Sequence, residues 1–171
     1  MDKQTTIAQG KFLRLVRKGR WEFAERTNVN GIVVIVPFLN DGRLLFIEQF
    51  RPPVDAICIE FPAGLSGDST DAADEALTSA ASRELVEETG YEAEKLRLLG
   101  TAAPTAGLTS ETMTYFAAYG LTKVGKGGGV EHENIKTHLV APGDVRKWLA
   151  KQAKRATISA TVYAGLYLTQ H

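Results

Sequence analysis

The segment Ile32-Val33-Val34-Ile35-Val36 constrains this chain more than any other stretch. Five consecutive β-branched residues lose side-chain freedom in a helix and suit a pleated strand. No polar residue alternates between them, so both faces of that strand must be covered. The run therefore predicts a strand in the middle of a domain, with material packed on either side. A chain of 171 residues, 44% of them hydrophobic, is long enough for one such domain and hardly for two. No repeat and no linker divides it, so residues 1–171 are expected to form a single domain.

The neighbouring segments supply the other layers. Residues 11–16 and 21–27 read as two strands around the turn Lys18-Gly19-Arg20. Asn40-Asp41-Gly42 is a hairpin signal, and Leu44-Leu45-Phe46-Ile47 returns from it. Residues 57–61, 96–101, 113–119 and 136–140 are further strands. The best helix is 70–89, with Thr70 or Asp71 to cap its start and Gly90 placed for a C-terminal cap. Two more helices are expected, at 142–153 with Val145, Trp148 and Leu149 on one face, and at about 159–168. Helices interleave with hairpins rather than with a regular βαβ repeat. The expected class is α+β: a mixed β-sheet between helices, with an N-terminal antiparallel hairpin. Residues 65–69 and 125–134 read as loops, the second carrying Gly127-Gly128-Gly129 before Glu131 and Glu133.

Charge and composition remove several function classes. Lysine plus arginine equal aspartate plus glutamate at 20 each, which argues against a nucleic-acid partner but not against a small anion held by a few arginines. Cys58 is the lone cysteine and reads as a small buried hydrophobe, so an internal disulfide framework and a four-cysteine zinc site are excluded. His132 and His138 have no second histidine or cysteine at zinc spacing. No apolar run reaches the roughly 20 residues of a membrane span, and the polar first ten residues lack a secretory signal. A cytoplasmic protein without membrane attachment is expected.

Chemistry concentrates in Arg83-Glu84-Leu85-Val86-Glu87-Glu88-Thr89-Gly90. On a helix, Glu84, Glu87 and Glu88 fall within an arc of roughly 100°. They crowd the helix end least favourable to negative charge, and Glu84 and Glu88 repel each other at i,i+4. A hard divalent cation relieves both penalties, because carboxylate oxygens suit Mg²⁺ or Mn²⁺. A solvated acidic face partnered by Arg83 is the alternative, and the helix alone leaves both open.

Arg83-Glu84-x-x-Glu87-Glu88-x-Gly90, with Glu75 eight residues before Arg83 and Tyr91 closing the pattern, resembles the Nudix box Gly-x5-Glu-x7-Arg-Glu-U-x-Glu-Glu-x-Gly-U, where U is apolar. The box glycine is Ser69 on strict spacing; Gly64 takes its place if five extra residues precede Glu75. Trp21-Glu22 with Arg26-Thr27, Gln49-Phe50-Arg51-Pro52-Pro53, Cys58-Ile59-Glu60-Phe61-Pro62-Ala63-Gly64-Leu65, Gly107-Leu108-Thr109-Ser110-Glu111 and Glu131-x-Glu133-x-Ile135 are similar to the ADP-ribose pyrophosphatase branch, over about residues 11–169. A second tryptophan that some relatives place upstream of Trp21 has no counterpart.

The resemblance implies a Nudix fold, an α/β/α sandwich, with residues 1–28 as dimer-forming N-terminal strands and 29–171 as the catalytic core. It implies Mg²⁺, for which Mn²⁺ can substitute. The ligands would be Glu84, Glu88, the Ala63 carbonyl, Glu87 and Glu133, with Arg83 orienting the glutamates. Trp21 would stack on a base and Glu22 would accept from its amino group. Arg51 would meet the diphosphate, Arg26 would do the same or brace the base pocket, and Leu65 and Glu111 would complete the substrate site. Without the resemblance, Trp21 reads as packing before stacking, and Arg51 as a surface residue at a strand end.

The implied reaction is hydrolysis of the pyrophosphate bond of ADP-ribose or a related nucleoside diphosphate sugar, giving a nucleoside monophosphate and a sugar phosphate. Glu133, Glu131 and Glu111 are candidates for the base that activates water. The glycine-rich loop is expected either to close over substrate or to be a linker. A homodimer is expected, with Trp21 and Arg26 serving the partner's site. Three alternatives remain: GDP-mannose or another sugar nucleotide as substrate, a binding module without catalysis, and a triphosphate or RNA-end hydrolase.

Overall fold

The computed structural model describes residues 2–27, 29–67, 76–129 and 133–170. Strand β4 (Gly31–Pro37) contains the β-branched run, and it is covered on both faces as its composition requires. Val34 and Val36 point into one core with Phe46, Ile59, Phe61, Tyr115 and Val162. Val33 and Ile35 point into another, with Ala80, Ala81, Leu85, Phe116 and Leu121.

The expected single sheet is two four-stranded mixed sheets. In one, β7 (Ala63–Ser66), β4, β9 (Met113–Lys123) and β8 (Tyr91–Ala102) lie in that order, with β4 parallel to β9 and antiparallel to β7. In the other, β10 (Lys136–Val140), β5 (Leu44–Arg51), β6 (Ala56–Glu60) and β11 (Thr157–Ile158) are ordered β10-β5-β6-β11. Helix α1 (Leu77–Thr89) covers the outer face of β4, while α2 (Val145–Gln152) and α3 (Ala160–Leu168) pack on the core between the sheets. The Nudix-type α+β layering of mixed sheets between helices is therefore present.

Several elements differ from expectation. The N-terminal hairpin is a three-stranded antiparallel sheet, because β1 (Gln4–Gln9) precedes β2 (Leu13–Lys18) and β3 (Trp21–Arg26). All six residues of β1 are exposed, so no burial alternation marked it in the sequence. Residues 63–66, partly assigned to a loop, form β7, which joins the sheet through β4. Helix α1 begins at Leu77 after an extended Ala76. The expected caps Thr70 and Asp71, together with Glu75, lie outside the described residues. Pro142–Asp144 is a separate 3-10 turn ahead of α2.

Candidate active site

Helix α1 buries Ala80, Ala81, Leu85 and Glu88 along one side. The apolar members anchor it to β4 and β9, and the same periodicity carries a carboxylate into the interior. Glu88 is only 4% exposed, and its Oε2 accepts the Ala63 N–H at 3.0 Å. Burial pushes its carboxyl up to about 9; the Ala63 N–H opposes this, nearby Glu84 and Glu133 add to it, and Arg51 opposes it. Without a cation this acid is held in its neutral form.

Arg83 crosses the top of the cluster. Its Nη1 donates to Glu84 Oε1 at 2.9 Å and to Glu87 Oε2 at 3.1 Å, and its Nη2 donates to the Leu65 carbonyl at 2.9 Å. Glu84 lies over Gly64, where a Cβ would come 1.9 Å from its carboxyl carbon. That contact explains the glycine: β7 must leave room for the carboxylate.

Two arginines share the cavity with the glutamates, each fixed by a carboxylate. Arg51 Nε and Nη2 both reach Glu60 Oε2 at 2.8 Å, and Gln49 Nε2 donates to the same oxygen at 3.0 Å. Arg26 Nε meets Glu111 Oε1 at 2.6 Å. Both pairs, the three glutamates and Glu133 line one cavity of about 690 Å³. Its far wall is Thr157, Ile158, Ser159, Ala160 and Thr161, from β11 and the start of α3. Arg155, just before β11, pairs with the buried Glu48, which also bonds His138 Nε2 at 2.9 Å. That pairing holds the Glu48 carboxyl below its ordinary range and ties the wall segment to β5.

The donor set fits a hard divalent cation: oxygen ligands, a buried acid whose desolvation outweighs the nearby Arg51, and a glycine cradle beneath a second carboxylate. The three glutamates do not converge as a preformed cage among the described residues, since Arg83 bridges two of them and Glu88 turns to the Ala63 N–H.

A family model for the NUDIX domain matches residues 29–160. The chain belongs to the Nudix family. This Nudix chain is 31% identical over 81% of its length to the methanol dehydrogenase activator of Bacillus methanolicus, covering 71% of that protein. It is 28% identical to the ADP-ribose pyrophosphatase of Bacillus subtilis over the same shares, 81% and 71%. To the ADP-ribose pyrophosphatase of Saccharomyces cerevisiae it is 36% identical, over 57% of this chain and 44% of that one. The crystal structure of an ADP compounds hydrolase superposes with a TM-score of 0.72 at 20% identity, covering 98% of this chain and 90% of the other, and so shares its fold. The chain is thus a Nudix hydrolase related to ADP-ribose pyrophosphatases, an enzyme of the pyrophosphatase class.

Ala63, Leu65, Arg83, Glu84, Glu87, Glu88, Arg51, Arg26, Glu111 and Glu133, drawn together from the Nudix sequence, meet in the one cavity. Trp21 and Glu22 do not. Trp21 is 57% exposed and lines a separate cleft of about 430 Å³ with Lys18, Phe23 and Gly107, while Glu22 pairs with Arg17 on the sheet surface. Arg26 was assigned with Trp21 to a partner's site, yet within the chain it faces its own cavity. Glu131 lies outside the described residues. Glu60, Gln49 and the 157–161 wall escaped the sequence reading. A signal for Glu60 existed, an acid among the apolar residues of β6 on the same face as Cys58. None existed for 157–161, which reaches the site only by pairing β11 with β6.

The described part of the glycine-rich loop, through Gly129, is bonded to the rest of the chain. Gly127, Gly128 and Gly129 have φ of 68°, 109° and 84°, and their segment is bonded to the end of α1 rather than hinged freely. Glu133 lines the cavity with that segment already docked.

Proposed function

We propose that this Nudix hydrolase cleaves the pyrophosphate bond of ADP-ribose or a closely related nucleoside diphosphate sugar, releasing a nucleoside monophosphate and a sugar phosphate. The observation that carries the reading is the mixture of charge in one cavity. Three glutamates and two carboxylate-braced arginines line the same space, which is able to hold a small dinucleotide-like ligand. Mg²⁺, or Mn²⁺ in its place, would neutralise the diphosphate and lower the pKa of water when bound to Glu84, Glu87, Glu88 and the Ala63 carbonyl. Arg83 keeps Glu84 and Glu87 oriented. Arg51, steadied by Glu60, presents its remaining N–H groups to phosphate oxygens, and Arg26 does so beside Glu111. Leu65 borders the same space. Glu133 takes the proton from the attacking water, with Glu131 as the alternative base. Glu111 is less suited to that role, being engaged by Arg26.

The relatives' names support an adenosine diphosphate sugar over GDP-mannose. A homodimer built through residues 1–28 fits the exposed apolar residues Ile7, Phe12, Leu13, Leu15 and Trp21 on the N-terminal sheet, and would let Trp21 stack on the base in a partner's cavity. A cytoplasmic setting fits the absence, among the described residues, of any helix long and apolar enough to cross a membrane. Product release from ADP-ribose, GDP-mannose, other sugar nucleotides, nucleoside triphosphates and capped RNA, each with Mg²⁺, tests the reading. AMP and ribose 5-phosphate from ADP-ribose at the highest kcat/KM are expected. Faster turnover of a triphosphate or of RNA would overturn it, and tight ADP-ribose binding without cleavage would make the protein a binding module.

A further inference from the structure

The last turn of a helix leaves four backbone carbonyls without intrahelical partners. In α1 those carbonyls lie at the backbone of the glutamate cluster, and α1 has no basic residue in its own last turn. One is met by the helix's own cap and three by a distant segment. Gly90 N–H bonds Val86 O at 2.7 Å, Gly129 N–H bonds Glu87 O at 3.0 Å, and Gly128 N–H bonds Glu88 O at 2.9 Å. Lys123 Nζ reaches Thr89 O at 2.7 Å, placing a cation at the negative end of the helix. The 123–129 segment is thus a cap supplied from a distant part of the sequence, and its last two amides grip Glu87 and Glu88, whose side chains belong to the acidic cluster.

The same glycines govern Glu133. A methyl group on Gly129 would come 2.3 Å from a Glu133 carboxylate oxygen and 2.6 Å from its Cβ. Beyond Glu133, Ile135 N–H returns to Gly128 O at 3.1 Å, and the Ile135 side chain is buried with Leu45 and Ile47. Glu133 thus lies against Gly129 and two residues before the anchored Ile135, and Gly128 and Gly129 are themselves bonded to Glu88 and Glu87.

We propose that Gly128 and Gly129 are positioning residues, which set the Glu133 carboxylate in register with Glu87 and Glu88 through one backbone clamp. The triple glycine works here by close approach and positive φ rather than by freedom of movement. The proposal rests on the reading of Glu133 as the base, and the test separates the two.

In the metal-free wild-type protein, amide exchange at Gly128 and Gly129 should be slow and comparable to that within α1; exchange at the rate of an unbonded loop would overturn the clamp. In steady-state ADP-ribose hydrolysis, Gly129→Ala should lower kcat tenfold or more. KM and the Mg²⁺ concentration for half activation should change less than twofold. Gly143→Ala, at a turn where a Cβ meets nothing within 4 Å, should behave as wild type. The double variant Gly129→Ala with Glu133→Gln should be no slower than Glu133→Gln alone, because both act on one carboxylate. Full kcat in Gly129→Ala beside a crippled Glu133→Gln would overturn the positioning role only. Full kcat in Glu133→Gln would overturn the assignment of the base as well.

Discussion

The carboxyl end of α1 and the N-terminal three-stranded sheet both hold residues assigned to substrate, but they hold them in opposite ways. At the end of α1, each terminal carbonyl is bonded, Glu88 is buried, and Arg83, Gly64 and the 123–129 segment fix the side chains around it. In the N-terminal sheet only Val16 is buried, and Phe12 and Trp21 are 65% and 57% exposed. That sheet meets the rest of the molecule where Ala24 N–H bonds Leu108 O, Ser110 N–H bonds Ala24 O and Arg26 pairs with Glu111. Groups that must gather like charges are over-determined from within the chain. The aromatic face that the proposed function gives to a ligand or a second subunit has no such support, and its apolar surface is open.

The largest effect that would break this contrast is at the acidic end. Glu84→Gln and Glu88→Gln should each lower turnover by two or more orders of magnitude while circular dichroism stays unchanged, since the fold depends on Leu85 and the alanines instead. A near-normal rate for Glu88→Gln at saturating Mg²⁺ would remove the glutamates from the chemistry.

A smaller effect is expected in the N-terminal sheet. Trp21→Ala should raise KM for ADP-ribose by about 5- to 150-fold, the equivalent of roughly 1–3 kcal/mol of base stacking, with kcat little changed. An unaltered KM accompanied by a lower melting temperature would make Trp21 a packing residue of its own cleft.

The smallest effect is on stability, and its sign follows from burial. Burial pushes the Glu88 carboxyl up to about 9 in the fold against 4.5 for an exposed carboxyl, so the native protein binds the extra proton between those values. In chelator, stability is therefore full below about pH 4.5 as far as this group is concerned and falls as pH rises toward 9. The melting temperature should drop by several degrees across that range, and Glu88→Gln should flatten the slope. A slope that persists in the variant would place the titration elsewhere.

Sequence alone reached the helix with its three glutamates, the strand buried on both faces and the glycine after the helix, because each is written in a local period or a single backbone requirement. Glu84, Glu87 and Glu88 had to share one side of α1 once it was a helix, and Ile32 to Val36 had to be covered twice once it was a strand. Which glutamate is buried was not local information: Glu88 faces inward because Leu85 and Ala81 dock on β4 and β9. Nor was the capture of Arg51 by Glu60, which depends on the antiparallel register of β5 and β6. The triple glycine shows the limit most clearly. By composition it was a flexible loop; in the fold it is a cap on a helix some forty residues earlier in the chain. Periodicity acts over a few residues and survives in the sequence, whereas pairings between distant segments exist only after packing has chosen the register.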